Sequence, residues 1–319
     1  MGASGTAAAA FPVEADWPRH RMKKSLEELL HEDSISIRPE DPTGPRFWRK
    51  SKIKPGPAVP NLNEPSLRLP RIGSVPYLNA APLTYGLEDE VMLVPPAQLA
   101  EKLRANDLDA ALVSVTEILF HDGYDVLDGI AIASHGEVKS VFLAHRLPLE
   151  QITEIHCDPA SLTSANLLRV LLAERGLRPE FKTLGDYDDA GERDAALLIG
   201  DPAISFLRGA HPQHTLWDLG KAWKTLTGLP FVYAVWALRR GQHSETLRKT
   251  LRDAKTNGLA HLRDIVEMRR EFDRTFRQAY LGGHIRYELD AAEKRGLERF
   301  IALLRKHGIE TPFEPNYVR

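Results

Sequence analysis

The chain has almost no cysteine. Cys157 is the single one among 319 residues, so no disulfide can close within the chain and no thiolate cluster can hold a metal; the ordinary role of such a residue is that of a small buried hydrophobe. Long apolar runs are lacking too. Although 43% of the residues are apolar, nowhere do they continue for the roughly 20 positions that a membrane helix needs, which predicts a soluble body with no membrane partner. Charge of one sign is scarce: a formal net charge of −2 excludes a general attraction to nucleic acid or to an acidic membrane, so recognition has to be local. The alanine run near the start has no Lys or Arg before it and passes directly into Glu14 and Asp16, which predicts no export signal and a cytoplasmic protein.

Several chemical signatures are missing as well. Twelve histidines are scattered without an H-E-x-x-H pair, so no metal is expected, and no sequence feature calls for a cofactor. There is no G-x-S-x-G elbow, Walker loop or G-x-G-x-x-G fingerprint, which removes the main support for hydrolase, nucleotide-triphosphatase and dinucleotide-binding readings.

What is present divides at about residue 66. Residues 1–66 read as an N-terminal extension with a short helix at Ser25–His31, opened by the capping-box pair Ser25 and Glu28, and a proline series through Pro55, Pro57, Pro60 and Pro65. Its Phe47–Lys54 segment mixes aromatics with cations but reads as linker or packing surface rather than as a nucleic-acid contact.

From Leu67 onward, short apolar runs alternate with helical ones. Strands are predicted at Arg71–Val75, Val91–Val94, Ala110–Val115, Ile130–Ser134, Val138–His145, Ile152–Cys157, Phe181–Leu184, Ala195–Ile199 and Phe231–Leu238. Helices are predicted from Pro82 toward Leu87, over Pro96–Asn106 and over Thr163–Arg175, and the remainder after Leu238 reads as helical, most firmly Asp290–His307. Such alternation implies an α/β fold with parallel-rich sheets covered by helices, in two units.

Three loops combine small polar residues with strand ends, the usual place for ligands in open α/β sheets. Ser161-Leu162-Thr163-Ser164 opens an apolar helix, so its hydroxyls and first backbone N–H groups can converge on a carboxylate or phosphate, although a plain helix cap accounts for the same residues. Asn79 lies between a strand and a proline-started helix, where its amide can either serve a substrate or stabilise a turn. Ser140 follows Gly136-Glu137-Val138-Lys139 at a crossing between the two units.

In order along the chain, SVPYLNAAPL (Ser74–Leu83), LDAALVSVTE (Leu108–Glu117), GEVKSV (Gly136–Val141), SLTS (Ser161–Ser164), LLIGDPA (Leu197–Ala203) and DLGKAWKTLTGLPFVYAVWA (Asp218–Ala237) together resemble the chorismate dehydratase family of the futalosine route to menaquinone. The resemblance runs from about Arg71 to Arg240. It implies a two-lobed, type II periplasmic-binding-protein-like fold with a substrate cleft at the hinge, residues 67–141 plus 232–319 forming lobe 1 and residues 142–231 an inserted lobe 2. It also implies that Asn79 and Ser140 are tied to catalysis and that the small-molecule partner is chorismate; beside these, Tyr77, Ser114, Ser161, Thr163, Ser164, Gly200 and Asp201 are expected to bind substrate.

The extension before Leu67 departs from the family pattern. A sister enzyme, the 1,4-dihydroxy-6-naphthoate synthase, shares the fold but carries a Cys-Pro-Asn-Asp type run that is absent here. A non-catalytic binder of small carboxylates on the same scaffold is the alternative from another class. No matched motif offers an obvious general base, which leaves the substrate's own enolpyruvyl carboxylate as proton acceptor, with Asp201 and Glu117 as rivals.

Overall fold

The computed structural model describes residues 69–319; the expected extension 1–66, with its helix Ser25–His31 and its segment Phe47–Lys54, lies outside the described residues. The described chain opens with β1 (Ile72–Ser74), β2 (Val91–Leu93), α1 (Pro96–Arg104), β3 (Ala110–Ser114), α2 (Val115–Phe120) and β4 (Tyr124–Ser134). It then crosses to a second sheet through β5 (Val141–His145), β6 (Glu154–Cys157), α3 (Leu162–Ala173), β7 (Glu180–Thr183), β8 (Ala195–Ile199), α4 (Gly200–Arg208) and β9 (Thr215–Asp218). Helix α5 (Leu219–Thr227) leads back to β10 (Phe231–Arg239), followed by α6 (Glu245–Ala260), α7 (Leu262–Met268), α8 (Arg274–Ala279), a π-turn at Tyr280–His284, α9 (Ala291–Lys306) and β11 (Asn316–Val318).

The first sheet has the order β11-β4-β10-β3-β1-β2 and the second β7-β6-β8-β5-β9. The returning strand β10 sits between β3 and β4 and runs antiparallel to both, Val235 facing Val113 on one side and Ala131 on the other. Its run FVYAVWAL is buried at seven of eight positions, as expected of a strand covered on both faces. The sheets are thus mixed rather than parallel-rich. β1 pairs in parallel with β2 and β3 and β6 with β7 and β8, whereas β5 is antiparallel to both of its neighbours.

Alternation along β5 and β8 shows how the second sheet is buried. Val141, Leu143, Ala195 and Leu197 join an apolar core that also contains Ile72, Leu112 and Trp236 of the first sheet, while Phe142, Ala144, Ala196 and Leu198 face a smaller cluster completed by Ala203 and Phe206. Side chains alternate across a strand, so one sheet serves two cores. The larger core is continuous between the sheets, and any cavity between them is therefore walled by well-packed side chains.

Two elements differ from the sequence-based expectation in ways that matter for the site. The helix expected from Pro82 is a 3-10 helix at Leu78–Leu83 with Pro82 inside it. Leu78, Ala80, Pro82 and Leu83 are all buried, so packing rather than helix propensity places its start. Gly258 of α6 is what lets it pack so closely, since a Cβ there would stand 1.9 Å from the Pro82 carbonyl oxygen. The strand expected from Val138 begins only at Val141, because the Val138 and Lys139 N–H groups donate to the Asp218 carboxylate (3.0 and 2.9 Å) instead of to a ladder. Helices α2 and α4 and strands β9 and β11 were not expected. The C-terminal helix follows its sequence signals: Asp290 and Glu293 form the capping box, Leu297, Phe300, Ile301 and Leu304 are buried, and Gly308 follows in the left-handed conformation. Among the described residues no helix is long and apolar enough to cross a membrane.

Candidate active site

A cavity lies where the strand ends of both sheets and the first turn of α3 meet. The space between its walls, open mouth included, is about 650 Å³. Tyr77, Asn79, Ser114 and Ser140 line it, as do Ser161, Thr163, Ser164 and Gly200. Asp201 does not. Apolar walls come from Val75, Leu112, Ile132, Val138 and Ile199, and Tyr233 closes one side. No Lys, Arg, His, Asp or Glu is among the lining residues. An anion held here is therefore met by N–H and hydroxyl donors, and no wall residue is an ordinary general base.

Asn79 is presented by the 3-10 helix just described. Its amide oxygen is shielded from solvent and has no hydrogen-bond partner within the protein, a costly state for a buried acceptor that a ligand donor in the cavity would relieve. Asp201, instead of facing the cavity, accepts a hydrogen bond from the Leu78 N–H (3.2 Å) and so holds the start of that helix from α4. Burial pushes the Asp201 carboxyl up to about 6, with the Leu78 N–H and the charge of Arg269 pulling the other way.

Ser140 ends the loop that carries the chain between the sheets. Asp218, which caps α5 through Lys221 N–H (3.0 Å), also accepts from Val138 and Lys139, so one half-buried carboxylate ties this loop to the return helix. The Ser140 carbonyl accepts from Gly200 N–H (2.8 Å), and its hydroxyl oxygen accepts from the Tyr280 hydroxyl (2.7 Å) in a fully buried contact. Tyr280 escaped the sequence reading. The signal that marks it is an aromatic residue beside the pair Gly282-Gly283, in a segment that leaves the helical period as a π-turn, a feature often found at functional sites.

The third loop opens α3. Ser161 occupies the N-cap position but makes no side-chain cap bond, so the plain capping reading of this residue is not what the structure adopts. Thr163 is engaged across the molecule, its hydroxyl accepting from Thr116 N–H (3.2 Å) and lying 3.1 Å from the Thr116 hydroxyl. The first N–H groups of α3 have no intrahelical partners, and Ser161, Thr163 and Ser164 of this turn line the cavity. Asp158 braces the loop from behind, accepting from Ala160 N–H (2.8 Å) and from the Tyr187 hydroxyl (3.0 Å).

Glu117, a rival base in the sequence reading, and Trp223 of the last matched motif have structural work. Glu117 is fully buried in a bidentate pair with Arg104 (2.8 Å to each oxygen) and does not line the cavity. Trp223 is buried against Phe231 and Phe300 and donates to the Pro230 carbonyl (3.0 Å), away from the cleft. Among the described residues no group of three or more His, Cys, Asp or Glu side chains is placed to hold a metal ion.

The comparisons with known proteins agree with this architecture. A family model described as menaquinone biosynthesis matches residues 70–306. The chorismate dehydratase of Thermus thermophilus is 33% identical over 274 residues, spanning 79% of this chain and 97% of that protein. Among solved structures, a protein of Archaeoglobus fulgidus has a TM-score of 0.61 at 17% identity, over 76% of this chain and 98% of its own. The periplasmic aliphatic sulphonate binding protein of Escherichia coli has a TM-score of 0.52 at 15% identity, over 78% and 93%. At such identities these two likenesses concern the fold alone, which is that of the periplasmic binding proteins.

Proposed function

We propose that this chain, which belongs to the menaquinone-biosynthesis family, is a chorismate dehydratase that removes water from chorismate to leave 3-[(1-carboxyvinyl)oxy]benzoate. Membership makes it an enzyme of that biosynthesis; the identity of the substrate and the lyase reaction are our reading. The observation that carries this reading is the uncharged cavity in which Asn79, Ser140 and the start of α3 converge.

Chorismate carries a ring carboxylate, an enolpyruvyl ether at C3 and a hydroxyl at C4. Loss of the C3 proton and the C4 hydroxyl makes the ring aromatic. The C3 proton is allylic to an alkene conjugated with the ring carboxylate, so charge developing at C3 spreads onto that carboxylate. Donors already in place around it stabilise the transition state without reorganising, at up to about 3–4 kcal/mol for a strong one. The N–H groups at the start of α3 and the hydroxyls of Ser161 and Ser164 suit this task, while Thr163 keeps the helix start against α2 through Thr116. Asn79 and Ser140 then position the ring and the departing hydroxyl, and Tyr77, Ser114 and Gly200 shape the walls around it. Asp201 serves through Leu78, as a support for Asn79. Because the wall offers no ordinary base, the enolpyruvyl carboxylate takes the C3 proton and returns it to the leaving hydroxide, which departs as water.

The test is to incubate the protein with chorismate and follow its loss and the appearance of the enolpyruvyl-benzoate by chromatography. Asn79→Ala should lower kcat by about 10²-fold while changing KM only a few-fold. Unchanged turnover in that variant removes Asn79 from the reaction. Binding of chorismate by the unaltered protein without any product favours a binding protein on the same scaffold.

A further inference from the structure

We propose that Tyr280 is a positioning residue for the dehydration, setting the direction in which the Ser140 hydroxyl points its proton; this inference rests on the dehydratase reading. Tyr280 is 1% exposed. Its ring lies against Phe276 with centroids 5.5 Å apart and planes 14° apart, and the π-turn that carries it is tied to the crossing loop by His284, whose Nδ1–H donates to the Glu137 carbonyl (2.9 Å). The hydroxyl therefore has one fixed place.

From that place it donates to Ser140 Oγ at 2.7 Å. A serine hydroxyl has one hydrogen and two acceptor sites. With the Tyr280 proton on its oxygen, the Ser140 hydrogen has within the protein only the Val138 carbonyl, at the long distance of 3.5 Å. It is therefore available to a group in the cavity, where Ser140 is a wall residue. Donation from tyrosine to serine also polarises the serine O–H and makes it the better donor.

Asn79, the other side chain placed at the reacting ring, keeps its amide oxygen without a partner, so the cavity offers an acceptor on Asn79 and a donor on Ser140. A hydroxyl leaving from C4 needs both, an acceptor for its own hydrogen and a donor to its oxygen as the C–O bond breaks. Burial of Tyr280 disfavours its phenolate, so it keeps its proton through the reaction and orients Ser140 without ionising.

The experiment measures kcat and KM for chorismate in the full chain and in Tyr280→Phe, Ser140→Ala and the double variant. Tyr280→Phe should lower kcat roughly tenfold or more with KM held within about threefold, and in the Ser140→Ala background the same replacement should cost less than about twofold, because no serine proton remains to be directed. Tyr287→Phe removes the hydroxyl of a neighbouring buried tyrosine whose oxygen has no hydrogen-bond partner, and should leave kcat unchanged. Full activity in Tyr280→Phe, or an equal loss with and without Ser140, overturns the assignment alone. No product from the unaltered protein overturns the dehydratase reading and this inference together.

Discussion

Gly200→Ala provides a quantitative test of the cavity wall. Gly200 opens α4 with φ +60°, and a Cβ built on it would stand 2.8 Å from Cε2 and 2.9 Å from Cδ2 of the Tyr77 ring. The substitution therefore has two costs: holding alanine in the left-handed region, roughly 1–2 kcal/mol, and displacing the ring by about 0.6 Å to restore ordinary contact, roughly 1–3 kcal/mol when a packed side chain must move. Gly228 separates them. It also lies in the left-handed region, at φ +72°, and a Cβ there has nothing within 4 Å, so Gly228→Ala carries the first cost without the second. We expect urea unfolding to place Gly200→Ala about 2–5 kcal/mol below the unaltered protein and Gly228→Ala about 1–2 kcal/mol below it. Chorismate kinetics should distinguish them further. Displacing Tyr77 narrows the cavity and shifts the Gly200 N–H that is bonded to the Ser140 carbonyl, so KM should rise in Gly200→Ala and stay unchanged in Gly228→Ala. Equal stability losses with unchanged KM in both variants would refute the close packing of Tyr77 on Gly200 and the role given to that wall.

Two further outcomes follow from burial. With its carboxyl pushed up to about 6 against about 4 in an unfolded chain, Asp201 makes the folded state bind more protons than the unfolded state between those values. Its contribution is therefore favourable at low pH and declines as pH rises through that window, by about 3 kcal/mol at most. Asp201→Asn, which keeps an acceptor for Leu78, should remove this decline when urea unfolding is compared at pH 4 and pH 7; an unaltered pH dependence would contradict it. Burial likewise pushes the Cys157 thiol up to about 12, so a thiol reagent at pH 8 should modify the denatured chain quickly and the folded chain only slowly, and rapid labelling of folded protein would place the residue nearer the surface.

Where periodicity and local chemistry agree, the sequence is a good guide to the fold. The box Asp290–Glu293, the stripe Leu297, Phe300, Ile301 and Leu304 and the stop at Gly308 delimit α9 because each signal is local. Strand direction was less legible: β10 is apolar enough for a buried strand, but its antiparallel placement between β3 and β4 depends on where the chain returns from the second sheet. The three polar loops could be picked out because they place small polar residues at strand ends, where open α/β sheets hold their ligands. Asp201 could not be sorted from them, since only the approach of Leu78, 123 positions earlier in the chain, turns its carboxylate away from the cavity and toward the 3-10 helix. Tyr280 is 140 positions from Ser140, and no local pattern joins them.

These long-range contacts also bear on how a binding-protein fold could carry the proposed elimination. Bare helix starts and hydroxyls on apolar walls suffice to hold a small carboxylate without a cation, and a ligand held only in that way is merely bound. Catalysis needs the donors and acceptors to have fixed directions before the bond breaks, because hydroxyls free to rotate stabilise reactant and transition state alike. Here the directions come from outside the cavity wall: Asp218 fixes the loop that ends at Ser140, Asp201 the start of the helix that carries Asn79, and Tyr280 the serine hydroxyl itself. Tyr280 is buried and the two carboxylates are half-buried, and none of the three lines the cavity. On the proposed reading, the groups that set these directions lie behind the wall rather than in it.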